Sequence, residues 1–172
     1  MANKNIMTTT KNYILSKEVA EKKLRRMAYE ILENNINETE IILAGIRESG
    51  SVVARTIQKM LSEISSIKTK LITITLDKKQ PKEVVLSQSF DFNNKVIVVI
   101  DDVANSGKAL LYSLKPFLEF QPKKIQSLVL VERSHTSFPV RPDYVGLSVS
   151  TTLQEHIYVE VNGEEVTGAF LA

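Results

Sequence analysis

The stretch that decides the fold runs Val96-Ile97-Val98-Val99-Ile100-Asp101-Asp102-Val103-Ala104-Asn105-Ser106-Gly107-Lys108-Ala109-Leu110. Its five leading β-branched residues do not alternate with polar ones, which predicts a strand buried on both faces, as in a parallel sheet. Open α/β folds place their ligands at the carboxyl end of such a strand. Two adjacent carboxylates there need hydroxyl donors or a cation to share a small space. The loop after them ends in Ser106-Gly107 at an expected helix start, which offers an anion backbone N–H groups, a hydroxyl and the positive end of a helix dipole. Acids for hydroxyls and a cradle for phosphate, one loop apart, describe a site for a ribose phosphate. A strand ending in Asp-Asp also occurs in receiver-type and nucleotide-hydrolase folds. The hydrolase motif is absent, since Ser106-Gly107-Lys108-Ala109 lacks both its first glycine and its terminal hydroxyl.

Outward from this strand, helical and extended patterns alternate. Ser16 to Asn34 predicts a capped helix with Ala20, Leu24, Met27, Ala28 and Ile31 on one face. Its other face carries Lys17, Lys22, Lys23, Arg25 and Arg26, read as a solvated face in preference to a nucleic-acid surface. A short strand at Glu40–Ala44 leads through Gly45-Ile46-Arg47-Glu48-Ser49-Gly50 into a helix ending near Ile64. The glycines at both ends of that loop permit close approach by a ligand, and Arg47 adds a charge. Further strands are expected at Leu71–Leu76 and Ile125–Val131, with a helix from Gly107 to Phe120 that Pro116 kinks. The alternation implies right-handed crossovers and a parallel sheet. From Glu132 onward the rhythm is lost, with strand-like pieces near Tyr144 and at Ile157–Val161 that read as an appended subdomain.

Composition bounds the rest. The chain has 172 residues, a formal net charge of +2 and no cysteine. That length suits one domain with a full core. The charge balance does not demand a nucleic-acid partner. Disulfides and thiolate metal sites are excluded. The first dozen residues are polar and unlike a signal peptide, and no apolar run reaches a membrane span, so a cytoplasmic location with no membrane partner is expected. His135 and His156 stand far apart without a third ligand at a suitable spacing and read as structural or surface residues.

The motif Val96–Ala109 resembles the ribose-5-phosphate signature of type I phosphoribosyltransferases, with Ser106 and Ala109 where that family usually has threonine. From about Ile14 to Val161 the chain is similar to the bacterial pyrimidine-operon attenuation regulators that double as uracil phosphoribosyltransferases. The similarity is carried by Ile42-Leu43-Ala44-Gly45-Ile46-Arg47 near the start, and by Arg133, His135, Pro139 and Arg141-Pro142-Asp143-Tyr144-Val145-Gly146 near the end. The resemblance implies a parallel α/β sheet flanked by helices, with a small carboxyl-terminal hood over the nucleobase. It implies one domain over residues 1–172, with 1–12 a polar leader and 132–172 mostly hood. Asp101, Asp102 and Arg47 are then the candidate catalytic residues. Asp101 and Asp102, with Val103, Ala104, Asn105, Ser106, Gly107, Lys108 and Ala109, would hold phosphoribosyl pyrophosphate. Ile46, Arg47, Glu48, Ser49 and Gly50 would hold its pyrophosphate, and Arg141, Tyr144 and Val145 would meet the base. Mg²⁺ is the implied cofactor, bound mainly through substrate near Asp101 and Asp102. A non-proline cis peptide is expected at Ile46–Arg47, and a homodimer as the assembly.

The resemblance implies transfer of phosphoribosyl to a pyrimidine, uracil first. The alternative is a non-catalytic or weakly catalytic nucleotide sensor that binds RNA, which is not favoured because Ser49 and Leu147 stand where relatives carry basic residues. Asn105 stands where 6-oxopurine enzymes place a general-base aspartate, which disfavours that chemistry. Thr75-Leu76-Asp77-Lys78-Lys79 opens a segment, to Asn94, that is shorter than the flexible loop of relatives and lacks its Arg-Asp pair. Lys78 and Lys79 are its cations nearest the site, and much of the segment is expected to be mobile, with Val84–Leu86 forming a short strand or packing on the sheet edge.

Overall fold

The computed structural model describes residues 10–152 and 154–172. In chain order its elements are β1 (Asn12–Ser16), α1 (Lys17–Asn34), β2 (Glu40–Ile46), α2 (Ser49–Ile64), β3 (Lys68–Leu76), β4 (Val84–Leu86), β5 (Val96–Ala104), α3 (Lys108–Ser113), β6 (Lys124–Arg133), β7 (Tyr144–Val149), β8 (Ile157–Asn162) and β9 (Glu165–Leu171). A 3-10 turn at Lys115–Phe117 follows α3. Six strands form one sheet in the order β4-β3-β2-β5-β6-β7, and β1-β9-β8 form a second. In the larger sheet β4 alone runs antiparallel to its neighbour. The expected α/β architecture is therefore observed.

The core has two parts, one on each face of the larger sheet. On one face α1 and α2 bury the five apolar residues expected of α1, together with Val53, Ile57 and Leu61, against Leu43, Val98, Ile100 and Leu130. The Ser16 hydroxyl accepts from the Val19 N–H and caps α1. On the other face Leu110, Phe117 and Phe92 cover Ile42, Ala44, Ile97 and Val99. Because β5 lies between β2 and β6 with core on both sides, Val96 to Ile100 are all buried, which is why their sequence does not alternate.

Several boundaries differ from expectation. β5 continues through Ala104, so Asp101 and Asp102 lie within the strand and not after it. The helix expected over Gly107–Phe120 stops at Ser113, and Pro116 lies in the 3-10 turn, where its missing N–H and its ring rule out a regular α-helical turn. The region expected as hood over 132–172 is divided: β7 completes the larger sheet beside β6, and only β8 and β9 belong to the small one. The small sheet takes its third strand, β1, from the amino-terminal side, through pairs such as Tyr13↔Phe170 and Ser16↔Gly168. Most of the expected leader lies outside the described residues, and Asn12 at its end opens β1. β4 forms as anticipated at Val84–Leu86. The segment expected to be mobile is fastened beyond it by Phe92, which is fully buried against Phe117 and Phe120.

Candidate functional site

Asp101 enters the site from inside a ladder. Its backbone pairs with Val129 and, two residues on, Val103 pairs with Val131, so the strand fixes where the acid points. The Asp101 side chain is fully buried, and its Oδ1 accepts from the Asp102 N–H at 2.9 Å. The Lys78 ammonium lies 2.9 and 3.0 Å from the two Asp101 oxygens and 3.3 Å from Asp102 Oδ1. Burial pushes the Asp101 carboxyl well above the ordinary carboxylate range, the Asp102 charge pushes the same way, and Lys78 opposes both. Burial works against the Lys78 charge, but the carboxylates outweigh it and the ammonium is held above its ordinary value. Burial is thus what opposes charge on Asp101, and the lysine is what favours it. Three carboxylate oxygens converging on one point also suit a hard cation such as Mg²⁺, which takes oxygen ligands and keeps several waters.

The loop after the acids folds back on itself. The Lys108 N–H donates to Ser106 Oγ at 3.3 Å, and the Ser106 carbonyl accepts from the N–H groups of Ser137 and Phe138. Gly107 has φ of 82°, in the left-handed region, and stands immediately before α3. Asp101 through Leu110, with Ser49 and Lys78, line one cavity of about 330 Å³. The expected phosphoribosyl group Asp101–Ala109 is thus brought together around a single space. The helix behind it has only six residues, so the loop's own N–H groups and hydroxyl, more than a long helix dipole, are what this end presents.

The loop after β2 meets the same space from the side. Gly50, in the first turn of α2, packs so closely on β5 that a Cβ there would lie 2.9 Å from both Asp101 Cα and the Ile100 carbonyl oxygen. Of Ile46 to Gly50, Ser49 lines the cavity, Ile46 and Gly50 are buried beside it, and Arg47 and Glu48 are exposed. The cis peptide is present in this loop, but at Arg47–Glu48 and not at the expected Ile46–Arg47 bond. The Arg47 N–H donates to the Ile74 carbonyl at 2.9 Å, which keeps the Ile46–Arg47 peptide in the parallel ladder and moves the irregular bond one residue on.

The residues expected at the base do not reach this cavity. Tyr144 is buried on the α1 side, its hydroxyl enclosed near Asn34, Asn35 and Gln126 with no partner in hydrogen-bond geometry among the described residues. The Val145 and Gly146 carbonyls accept from Arg26 Nη2 at 2.8 and 3.3 Å. Arg141 is exposed and outside the lining. β8 supplies Ile157, Tyr158 and Val159 as the remaining wall. Tyr158 is 46% exposed and stacks on Phe170, with ring centroids 5.2 Å apart and planes 19° from parallel. Asn162-Gly163 was the available signal for this wall: the dipeptide marks a tight hairpin, and Gly163 turns β8 into β9 with φ of 61°. A larger cleft of about 460 Å³ lies between α1 and α2, but Arg25–Glu63 and Lys17–Glu165 pairs span its border and it has no phosphate loop.

Residues 12–164 match the family model described as a phosphoribosyl transferase domain. The chain is 33% identical to a Bifunctional protein PyrR of Macrococcus caseolyticus over 158 residues, 87% of this chain and 91% of that one. It is 34% identical to a Bifunctional protein PyrR of Clostridioides difficile over 168 residues, 90% and 95% of the two chains. Among solved structures, it superposes on a hypoxanthine-guanine phosphoribosyltransferase from Bacillus anthracis with a TM-score of 0.70 at 19% identity, covering 85% of this chain and 86% of that one. The hypoxanthine phosphoribosyltransferase of Trypanosoma cruzi gives a TM-score of 0.71 at 12% identity, covering 80% and 81%.

Proposed function

Since the chain belongs to the phosphoribosyl transferase domain family and has the type I fold, we propose that it transfers the phosphoribosyl group of phosphoribosyl pyrophosphate to a pyrimidine base, uracil first. The observation that carries this reading is the single cavity in which the Asp101–Asp102 pair faces the Ser106–Gly107 loop. In it Asp101 and Asp102 accept hydrogen bonds from the ribose hydroxyls, while Ala104 to Ala109 hold the 5-phosphate through N–H groups and the Ser106 hydroxyl. Ile46 to Gly50 face the pyrophosphate, with Arg47 as its cation. Asp101 and Asp102 are also the residues that would hold Mg²⁺, which supplies charge neutralisation at the leaving pyrophosphate.

The reaction asks little covalent work of the protein. The bond from ribose C1 to pyrophosphate breaks, a base nitrogen bonds to C1, and that nitrogen's proton leaves to solvent. The protein contributes positioning and fixed charge. The base approaches from β8, where Tyr158 offers an aromatic face. The choice of a pyrimidine rests on the relatives, which carry the name Bifunctional protein PyrR, and on Asn105, which does not serve as a proton acceptor at neutral pH.

An RNA-binding regulator using the same pocket as a sensor is the lesser reading. The basic face of α1 that it would use is largely satisfied within the chain: Lys17, Lys22, Arg25 and Arg26 each pair with a carboxylate. Calorimetric titration with phosphoribosyl pyrophosphate and Mg²⁺ tests the enzyme reading. Binding is expected to weaken at least about a hundredfold in Asp101→Asn/Asp102→Asn, since two charged hydrogen-bond acceptors are lost at roughly 1.5–3 kcal/mol each. No binding by the wild type, or unchanged binding by the double variant, overturns it. Tight RNA binding strengthened by a uridine nucleotide, without turnover, supports the sensor instead.

A further inference from the structure

Lys78 holds a position that the site's motifs do not require. Its Nζ meets both oxygens of Asp101 and one of Asp102 within 3.3 Å. The Asp101 side chain is 1% exposed and that of Lys78 44%, so the ammonium closes the carboxylates from the solvent side. Lys78 comes from the segment Asp77–Lys82 after β3. Lys108 Nζ fastens this segment by donating to the Lys79 carbonyl at 3.0 Å, and Lys115 Nζ donates to the Lys82 carbonyl at 3.4 Å. Asp77 Oδ1 accepts from the Lys79 N–H at 2.8 Å and sets the turn that presents Lys78. The segment is therefore tied to the carboxylate pair and to the residue after Gly107, two places a sugar phosphate would contact.

We propose that Lys78 is a tethered counter-cation: it neutralises the Asp101–Asp102 pair in the ligand-free protein and must exchange for the divalent cation or the ribose hydroxyls when ligand enters. The inference rests on the reading of that pair as the ribose and Mg²⁺ site. Buried carboxylates are tolerated only when paired, and Lys78 supplies the pairing that ligand later supplies. Three oxygens around one point serve one cation, and a second positive charge brought to the same point is repelled by the first. A divalent ion therefore binds as Lys78 withdraws, and withdrawal draws Asp77–Lys82 off the site. Lys78 is on this account a positioning residue, coupling occupancy of the carboxylates to opening of the segment above them.

The test uses the full chain and Mn²⁺, followed as free ion by electron paramagnetic resonance, with no phosphoribosyl pyrophosphate present. Lys78→Gln is expected to bind Mn²⁺ about tenfold more tightly than wild type, a change of about 1.4 kcal/mol. Lys78→Arg, which keeps the cation, is expected to stay within about twofold of wild type. Hydrogen exchange in wild type gives a reading independent of any variant: saturating Mn²⁺ is expected to speed exchange at Asp77–Lys82. A gain below about threefold in a folded Lys78→Gln protein, or segment exchange that Mn²⁺ leaves unchanged, overturns the proposal. The titration omits substrate, so its failure speaks against Lys78 alone, whereas failure of phosphoribosyl pyrophosphate to bind speaks against the enzyme reading.

Discussion

The two sheets contribute to the cavity in different ways. The six-stranded sheet brings Asp101 and Asp102 on β5, a strand paired on both sides and covered on both faces. The three-stranded sheet brings Tyr158 on β8, an edge strand with one neighbour and a half-exposed ring. Charged groups that must keep one geometry stand where the backbone has no freedom. The aromatic wall stands where a side chain can change at little cost to the core. In the proposed reaction the larger sheet fixes the sugar phosphate and the smaller one selects the base.

Gly50→Ala is the severest way to break this division. The added methyl would stand 2.9 Å from Asp101 Cα and from the Ile100 carbonyl oxygen and 3.0 Å from Asp101 Oδ1, and two of these three are backbone atoms of a central strand that cannot turn aside. The amino end of α2 must then shift away from β5, at a cost of about 3 kcal/mol. Denaturant unfolding is expected to show that loss, and calorimetry a parallel weakening for phosphoribosyl pyrophosphate. If stability falls while binding holds, the two loops are not coupled through Gly50.

A smaller effect is expected across the cavity. Tyr158→Ala removes an aromatic face but no core contact of the larger sheet. Its expected signature is a rise in KM for the base of about fivefold, near the low end of stacking energies of roughly 1–3 kcal/mol per base. The KM for phosphoribosyl pyrophosphate is expected to stay level. Equal rises in both would mean that the small sheet does not act on the base alone.

The same contrast governs what the sequence reveals. A strand buried on both faces carries its own signature, so Val96–Ile100 and the acids after it are legible without a structure. The amphipathic face of α1 is equally local, and all five of its apolar residues are buried as expected. β1 and β9 are not legible in this way, because each is defined by a partner at the other end of the chain: Asn12 pairs with Leu171. Neither NYILS nor EVTGAFL has the apolar run of a central strand. The Lys78 contact is opaque for another reason. Two lysines follow Asp77, and only the turn made by the Asp77 side chain decides which one faces the carboxylates. The direction of Tyr144 is not legible from the resemblance, because a motif fixes position along the chain and not side-chain direction. In Arg141–Val145 the tyrosine turns toward α1, and the Val145 carbonyl is taken by Arg26.

Tyr144→Phe isolates that last point and is expected to have the smallest effect. Among the described residues the hydroxyl is buried without a partner, and an unpaired buried polar group costs stability rather than adding it. Removing one oxygen while keeping the ring leaves the packing intact, so melting at neutral pH is expected to hold or rise slightly. Burial is the main reason that the Tyr144 phenol is pushed up to about 12 from 10.0, with the nearby Asp143 charge adding to it. The sign follows from linkage: below pH 10 neither folded nor unfolded tyrosine is ionised and the shift has no effect. Between about 10 and about 12 the unfolded chain loses the proton while the folded one keeps it, so wild-type stability declines over that window. The phenylalanine variant lacks this component and is expected to gain on wild type as pH rises from 10 to 12 in chemical denaturation. At neutral pH its KM for the base is expected to equal that of wild type. A several-fold rise in that KM, with melting unchanged, would return Tyr144 to the base site and count against β8 as the wall that selects the acceptor.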